Sequence, residues 1–244
     1  MSRNGVGLFQ GLGLGGFAER ALIHENQLAV LPKEMPFAQA ALLGCGVVTG
    51  AGAVLNTASV AAGDSVVIFG AGGVGLNAVS GARIAAASRI VVIDIQPKRL
   101  DAAKRFGATD VIDSSKTKPV EAVRDLLPGG ADHVFDFVGQ KTVAEQGFAM
   151  LGVGGGLYLV GVAQPEVDIA INIFGAIGGQ KRAQGVNFGS TNAKQDLPMY
   201  AELYLQGRIN LDDLVSKTIA LRDVNDGYAA LKDGSLNRVV VTSF

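Results

Sequence analysis

The sequence predicts an α/β fold organised as a doubly wound parallel sheet, and three observations predict it. Residues 65–94, SVVIFGAGGVGLNAVSGARIAAASRIVVID, set an apolar strand, three glycines spaced G-x-G-x-x-G, an Ala-rich helix and a second apolar strand with an acidic end, all in order. Downstream of Asp94, apolar segments keep alternating with amphipathic ones, as βαβ units do and antiparallel sheets do not. A chain of 244 residues that is 48% apolar can bury the core of one large domain or two small ones.

Taken in order, residues 1–16 are glycine-rich and aperiodic and show no folded start. Residues 17–23 and 27–31 read as short strands around a His24-Glu25-Asn26 turn, 32–36 as a linker and 37–43 as a helix. GCGVVTG at 44–50 reads as a compact junction before a helix through Asn56, and Gly63-Asp64 turns into the central strand at 66–69. A helix over 76–87 and a strand over 90–93 follow, then a helix over 98–106 and a strand over 110–112. Pro128-Gly129-Gly130 closes a helix over 120–127 before a strand at 134–138, a helix at 142–151 and a strand at 157–162. Alternation predicts another strand at 167–173, and 182–188 completes the sheet. The regular series then stops, leaving a helix at 196–206, a strand at 217–221, a helix at 224–232 ended by Gly234, and a strand at 238–241. The expected segments are therefore 1–46, the nucleotide-binding unit 47–187, and 188–244.

Composition excludes some partners. A net charge of −1 offers no basic field for nucleic acid or an anionic membrane surface. One cysteine rules out an intramolecular disulfide and fits a reducing cytoplasm. The first twenty residues lack the continuous apolar run of a secretory signal. The uncharged stretches 35–63, 65–82 and 146–165 are interrupted by residues that suit turns and buried strands, so no membrane span is expected.

The glycine motif carries the chemistry. Gly70 permits the tight turn out of the strand, Gly72 leaves the backbone open to a pyrophosphate, and Gly75 lets the helix pack closely. Phosphates over a helix N-terminus meet unpaired N–H groups and the positive end of the dipole. Asp94 would accept hydrogen bonds from a ribose diol and repel a 2′-phosphate, which favours NAD over NADP. His24 and His133 have no Cys, His or carboxylate at ligand spacing and read as surface or edge histidines.

With these residues placed, the chain resembles the zinc-dependent, medium-chain alcohol dehydrogenase family over residues 16–244. The marks are GCGVVTGAGAVLN around Cys45, VVIFGAGGVGLNAV, VVIDIQPKRLDAAKRFGATDVID, DHVFDFVG, LVGV, QGVNFGS and the ending NRVVVTSF. The resemblance implies a Rossmann NAD-binding domain with parts of a GroES-like catalytic domain at both ends. It implies hydride transfer between NAD and a small alcohol or aldehyde, with zinc as Lewis acid. By the same resemblance Gly70, Gly72, Gly73 and Val74 line the pyrophosphate beside Gly75, Asp94 holds the adenosine ribose, Arg99 flanks it, and Arg238 contacts the pyrophosphate. Val138, Val160, Gly161, Val162 and Phe188 approach the nicotinamide side, Thr49 its ring, and Cys45 stands where the family keeps one zinc ligand. Family members commonly pair through the edge of the nucleotide-binding sheet, so a homo-oligomer is expected, with 167–173 as the candidate edge. The family opens with a catalytic domain, and this chain starts near its end. The other zinc ligands and the proton relay are thus expected to be absent, no catalytic residue is assigned, and the chain alone is expected to be inactive. Two alternatives stay open: a non-catalytic NAD-binding or assembly module, and a zinc-free quinone reductase of the same superfamily, against which Cys45 in GCGVVTG argues.

Overall fold

A computed structural model describes residues 2–7, 14–232 and 236–244. At the start of the chain, β1 (Ser2–Arg3) and β2 (Val6–Gly7) pair antiparallel. Asn4 and Gly5 turn between them with φ of 53° and 78°, the double positive φ that two-residue hairpins favour. The expectation of no folded start is corrected to that extent, and the part of it that falls on 8–13 lies outside the described residues.

The central sheet has six strands, β3 (Ser65–Phe69), β4 (Arg89–Asp94), β5 (Asp110–Asp113), β6 (Ala131–Asp136), β7 (Leu151–Leu159) and β8 (Arg182–Gly185). Their spatial order is β5-β4-β3-β6-β7-β8 and every pairing is parallel. Helices α3 (Gly75–Ile84), α4 (Pro97–Phe106), α5 (Pro119–Leu126) and α6 (Lys141–Met150) make the crossovers. Both faces of the central strands β3 and β4 are covered, which is why they read as continuous apolar runs. Val66 and Ile68 point to one core with Leu76, Val92, Phe106 and Tyr200. Val67 and Phe69 point to the other with Val91, Val123, Phe148 and Leu157. Helix α4 has Pro97 in its first turn and Gly107 beyond its end at φ 117°, the usual start and stop residues.

Ahead of the sheet, residues Phe37–Thr57 form one continuous helix of 21 residues. It comprises α1 (Phe37–Leu42), a π-helical turn (Leu43–Val47), α2 (Val48–Gly52) and a second π-helical turn (Ala53–Thr57). The predicted junction at 44–50 and the breaks expected in this uncharged stretch are therefore corrected to helix. By length and composition it could cross a membrane, but packing in this fold accounts for its apolar sequence. Val47, Val48, Ala51, Ala53 and Val54 are buried in the sheet's core. A Cβ on Gly50 would sit 2.2 Å from the Val74 carbonyl, and one on Gly81 would sit 3.0 Å from the Ala51 Cα. Small residues let the two backbones touch. The expected boundary between residues 46 and 47 falls inside this helix.

Other expectations are corrected. Residues 17–23 and 27–31 are irregular, with a short 3-10 turn at Glu25–Gln27, and neither has a partner strand among the described residues. Residues 167–173 do not form a strand: they run irregularly into α7 (Ile173–Gly179), whose cap Asn172 accepts a hydrogen bond from the Gly175 amide at 2.7 Å. Strand β8 stops at Gly185, short of Phe188. β7 begins at Leu151 rather than 157, and α3 ends at Ile84 rather than 87. His133 is buried, because β6 starts at Ala131 and carries it inside the sheet. Its Nε2 lies 2.9 Å from Asp64 Oδ2, and its ring stacks on Tyr158 at 5.9 Å.

The last part of the chain supplies α8 (Ala193–Leu205), β9 (Val215–Ala220), α9 (Val224–Leu231) and β10 (Arg238–Ser243). β9 and β10 pair parallel in a separate two-stranded sheet, and α1 packs beside β10. That contact brings Arg238 to the mouth of the central sheet.

Candidate functional site

Leaving β3, the chain builds α3 and β4 on one side, then returns at β6 on the other. The carboxyl ends of β3, β4 and β6 therefore border a crevice at the point where strand order reverses, where open α/β sheets bind ligands. Two adjoining depressions lie there. One, of about 360 Å³, is lined by Gly70, Gly72, Gly73, Val74, Gly75, Asp94, Arg99, Val138 and Arg238 together with Phe69, Ile95, Ser114, Phe137, Gln140 and Gln146. The other, of about 410 Å³, is lined by Cys45, Thr49, Val160, Gly161, Val162 and Phe188 together with Val186 and Asn187. Val74 and Phe137 line both and join them. Every residue that the sequence analysis assigns to the cofactor or metal site thus lines one of these two neighbouring depressions.

The glycine turn is held by backbone geometry. Gly70 has φ 90°, and its amide donates to the Ile93 carbonyl at 2.8 Å. A Cβ on Gly75 would lie 1.8 Å from the Gly70 carbonyl oxygen, so α3 is pressed onto its own entry turn. A Cβ on Gly72 would meet nothing within 4 Å, which leaves its face open to the crevice. Gly73 has a different neighbour: its Cβ would lie 2.7 Å from Arg238 Nη1, and one on Gly46 would lie 3.0 Å from Nη2. Two glycines therefore make the cradle in which the Arg238 guanidinium rests beside the turn. Burial lowers that guanidinium's pKa, while the nearby Cys45 acts in the opposite direction.

Asp94 ends β4 and is 6% exposed. Its Oδ2 accepts from the Ala71 amide at 2.8 Å and its Oδ1 from the Gln96 amide at 2.9 Å. The carboxylate lines the first depression. Arg99 Nη1 stands 3.8 Å from Oδ2.

Asp136, at the end of β6, was not singled out in the sequence. Its Oδ1 accepts from the Val138 amide at 2.7 Å and the Gly139 amide at 3.1 Å. Its carbonyl accepts from the Val160 and Gly161 amides at 2.9 and 2.8 Å. One residue therefore ties together the β6 and β7 ends that wall both depressions. Burial pushes its carboxyl above the usual range, against the two amides. The signal available was an Asp two residues before its own hydrogen-bonded amide in a turn closed by glycine, DFVG.

Cys45 is exposed, in the first π-helical turn. Among the described residues no group of three His, Cys, Asp or Glu side chains could hold a metal ion. His24 caps a 3-10 turn by accepting from the Asn26 amide, and His133 is bound to Asp64 at the amino end of the sheet. Zinc at such a centre takes three protein ligands and an open position, and this donor set does not fit it.

The fold and the crevice define a nucleotide-binding α/β domain of the dinucleotide type. The chain belongs to the zinc-binding dehydrogenase family, whose model matches residues 73–205, more than half of its length. It is 37% identical over 243 residues to S-(hydroxymethyl)glutathione dehydrogenases of Escherichia coli and Shigella sonnei, covering 98% of this chain and 66% of theirs. The solved structure of benzyl alcohol dehydrogenase from Acinetobacter calcoaceticus matches with a TM-score of 0.89 at 33% identity, over 92% of this chain and 62% of that one. An alcohol dehydrogenase zinc-binding domain protein from Burkholderia ambifaria matches with a TM-score of 0.92 at 34% identity, over 95% and 62%. The chain spans just under two thirds of the length of the relatives it matches.

Proposed function

We propose that this chain binds NAD in the crevice and orients its nicotinamide for hydride exchange with a small alcohol or aldehyde, without supplying the zinc centre itself. The single observation that carries the reading is Asp94. Its buried carboxylate sits at the end of the second strand, beside a glycine turn with an open Gly72 face. In this reading Gly72, Gly73, Val74 and Arg238 meet the pyrophosphate, and Asp94 and Arg99 the adenosine ribose. Val138, Val160, Gly161, Val162, Phe188 and Thr49 enclose the nicotinamide. The bound nucleotide would supply or accept the hydride at its nicotinamide C4. The protein's part is to grip the pyrophosphate and shut water away from one ring face. The lone Cys45 favours the second reading, an NAD-binding module without turnover of its own. A single cysteine also fits a reducing cytoplasm.

Preference between the cofactors is the test. Arg99 could welcome a 2′-phosphate, but Asp94 lies 3.8 Å from it and balances its charge. Asp94 would also meet the added phosphate as a like charge in a sheltered site. NAD should bind about tenfold or more tightly than NADP, and Asp94→Ala should bring the two within about twofold. Equal affinities in calorimetric titration of the unaltered chain would remove the claim.

We further infer self-association. All four residues of the edge strand β8 are exposed, and Ile173, Phe174 and Ile177 project from α7. An uncovered edge beside an apolar patch recruits a second strand. Light scattering at micromolar concentration should report a dimer or larger, and a clean monomer would refute it.

A further inference from the structure

Phe188, Gly189 and Ser190 hold φ angles of 46°, 60° and 51°, three consecutive residues in the left-handed region. Residues with a Cβ visit that region singly, so a run containing Phe and Ser is strained and must be held by its surroundings. What holds it is the long helix. A Cβ on Gly189 would lie 2.0 Å from the Val48 carbonyl oxygen, and one on Gly52 would lie 2.7 Å from the Gly189 carbonyl oxygen. Only two glycines facing each other permit this contact. Thr57 Oγ1 and Ser190 Oγ, 2.8 Å apart, fasten the next position. The same helix carries Thr49 to the depression that Phe188 lines.

From this we propose that Gly52 and Gly189 are positioning residues. Their backbone contact fixes how far the Phe188 wall stands from the Thr49 wall, and so sets the width and orientation of the nicotinamide slot. The inference rests on the dinucleotide reading above and assigns the lock to the nicotinamide end alone. In that reading the pyrophosphate and adenosine contacts are borne by the glycine turn, Asp94, Arg99 and Arg238, and the atoms nearest a Cβ on either glycine belong to none of these.

The prediction separates two ligands that share everything except nicotinamide. In Gly52→Ala the new methyl group must push the turn outward. ADP-ribose should then bind within about twofold of the unaltered chain, while NADH weakens about tenfold, because small displacements of a fitted ring are costly. Thr57→Val, which removes only the hydroxyl that fastens Ser190, should weaken NADH about threefold and leave ADP-ribose unchanged. It decides the matter if Gly52→Ala does not fold. Calorimetry with both ligands reads the split, and the emission of bound NADH reports the ring's surroundings. Equal losses for the two ligands, or an unchanged NADH preference in Thr57→Val, would overturn the proposal. Failure of ADP-ribose to bind the unaltered chain would instead overturn the dinucleotide reading, and this inference with it.

Discussion

Gly75→Ala is expected to destabilise the chain by about 3 kcal/mol and to abolish measurable dinucleotide binding, the larger of the effects a single methyl group should have here. The added Cβ would lie 1.8 Å from the Gly70 carbonyl oxygen and 3.0 Å from its carbon. Both are backbone atoms and cannot rotate away. Relief requires α3 to lift from its entry turn, but the helix is buried against β3 and against the long helix at Gly50 and Gly81. The same lift would move the amides of residues 72–75 away from the crevice floor. Gly72→Ala is the control, since its Cβ meets nothing within 4 Å. It should leave the free energy of unfolding unchanged within about 0.5 kcal/mol and weaken only the nucleotide. Urea melts and titrations on both variants check this. A Gly75→Ala chain that melts and binds like the original would show that the turn is more pliable than its packing implies.

What was legible in the sequence follows from this geometry. The central strands β3 and β4 could be read because burial on both faces makes them continuous apolar runs, and the crossover helices because Gly70 and Gly107 mark chain reversals. The crevice residues were legible through motif blocks, and they fall around one cavity system. What could not be read depends on neighbours remote in sequence. The stretch 44–50 looks like a glycine junction, yet it is helix, because Gly50 and Gly81 are spacers between two helices. VDIAINI alternates like a strand but pairs with none of the described strands, and Asn172 starts α7 instead. His133 reads as a surface or edge histidine because nothing in the local sequence announces Asp64 as its partner. The left-handed turn at Phe188 was equally hidden: only the helix carbonyl at Val48 shows why Gly189 is needed.

The chain by itself should not oxidise alcohols at a measurable rate, even saturated with NAD. Orienting the nicotinamide is half of the reaction, and the other half is an alkoxide. An alcohol's proton is held far more tightly than neutral pH can remove, so either a metal must lower its pKa or a base must be matched to it. Cys45 is exposed in the depression with Thr49, and no described trio of His, Cys, Asp or Glu gathers there. Thr49 is a poor base without an imidazole to relay its proton, and His24 and His133 are engaged elsewhere, one with the Asn26 amide and one with Asp64. Asp136, whose carboxyl is raised by burial, spends its Oδ1 on two backbone amides. The loss relative to an enzyme with a complete metal centre should be at least about a thousandfold. After dialysis the chain should carry far less than one zinc per protomer by atomic absorption. Benzyl alcohol and hydroxymethyl-thiol adducts should give no NADH absorbance above background at neutral pH. Stoichiometric zinc, together with turnover that vanishes in Cys45→Ala, would show that the chain gathers a metal site the donor inventory does not reveal.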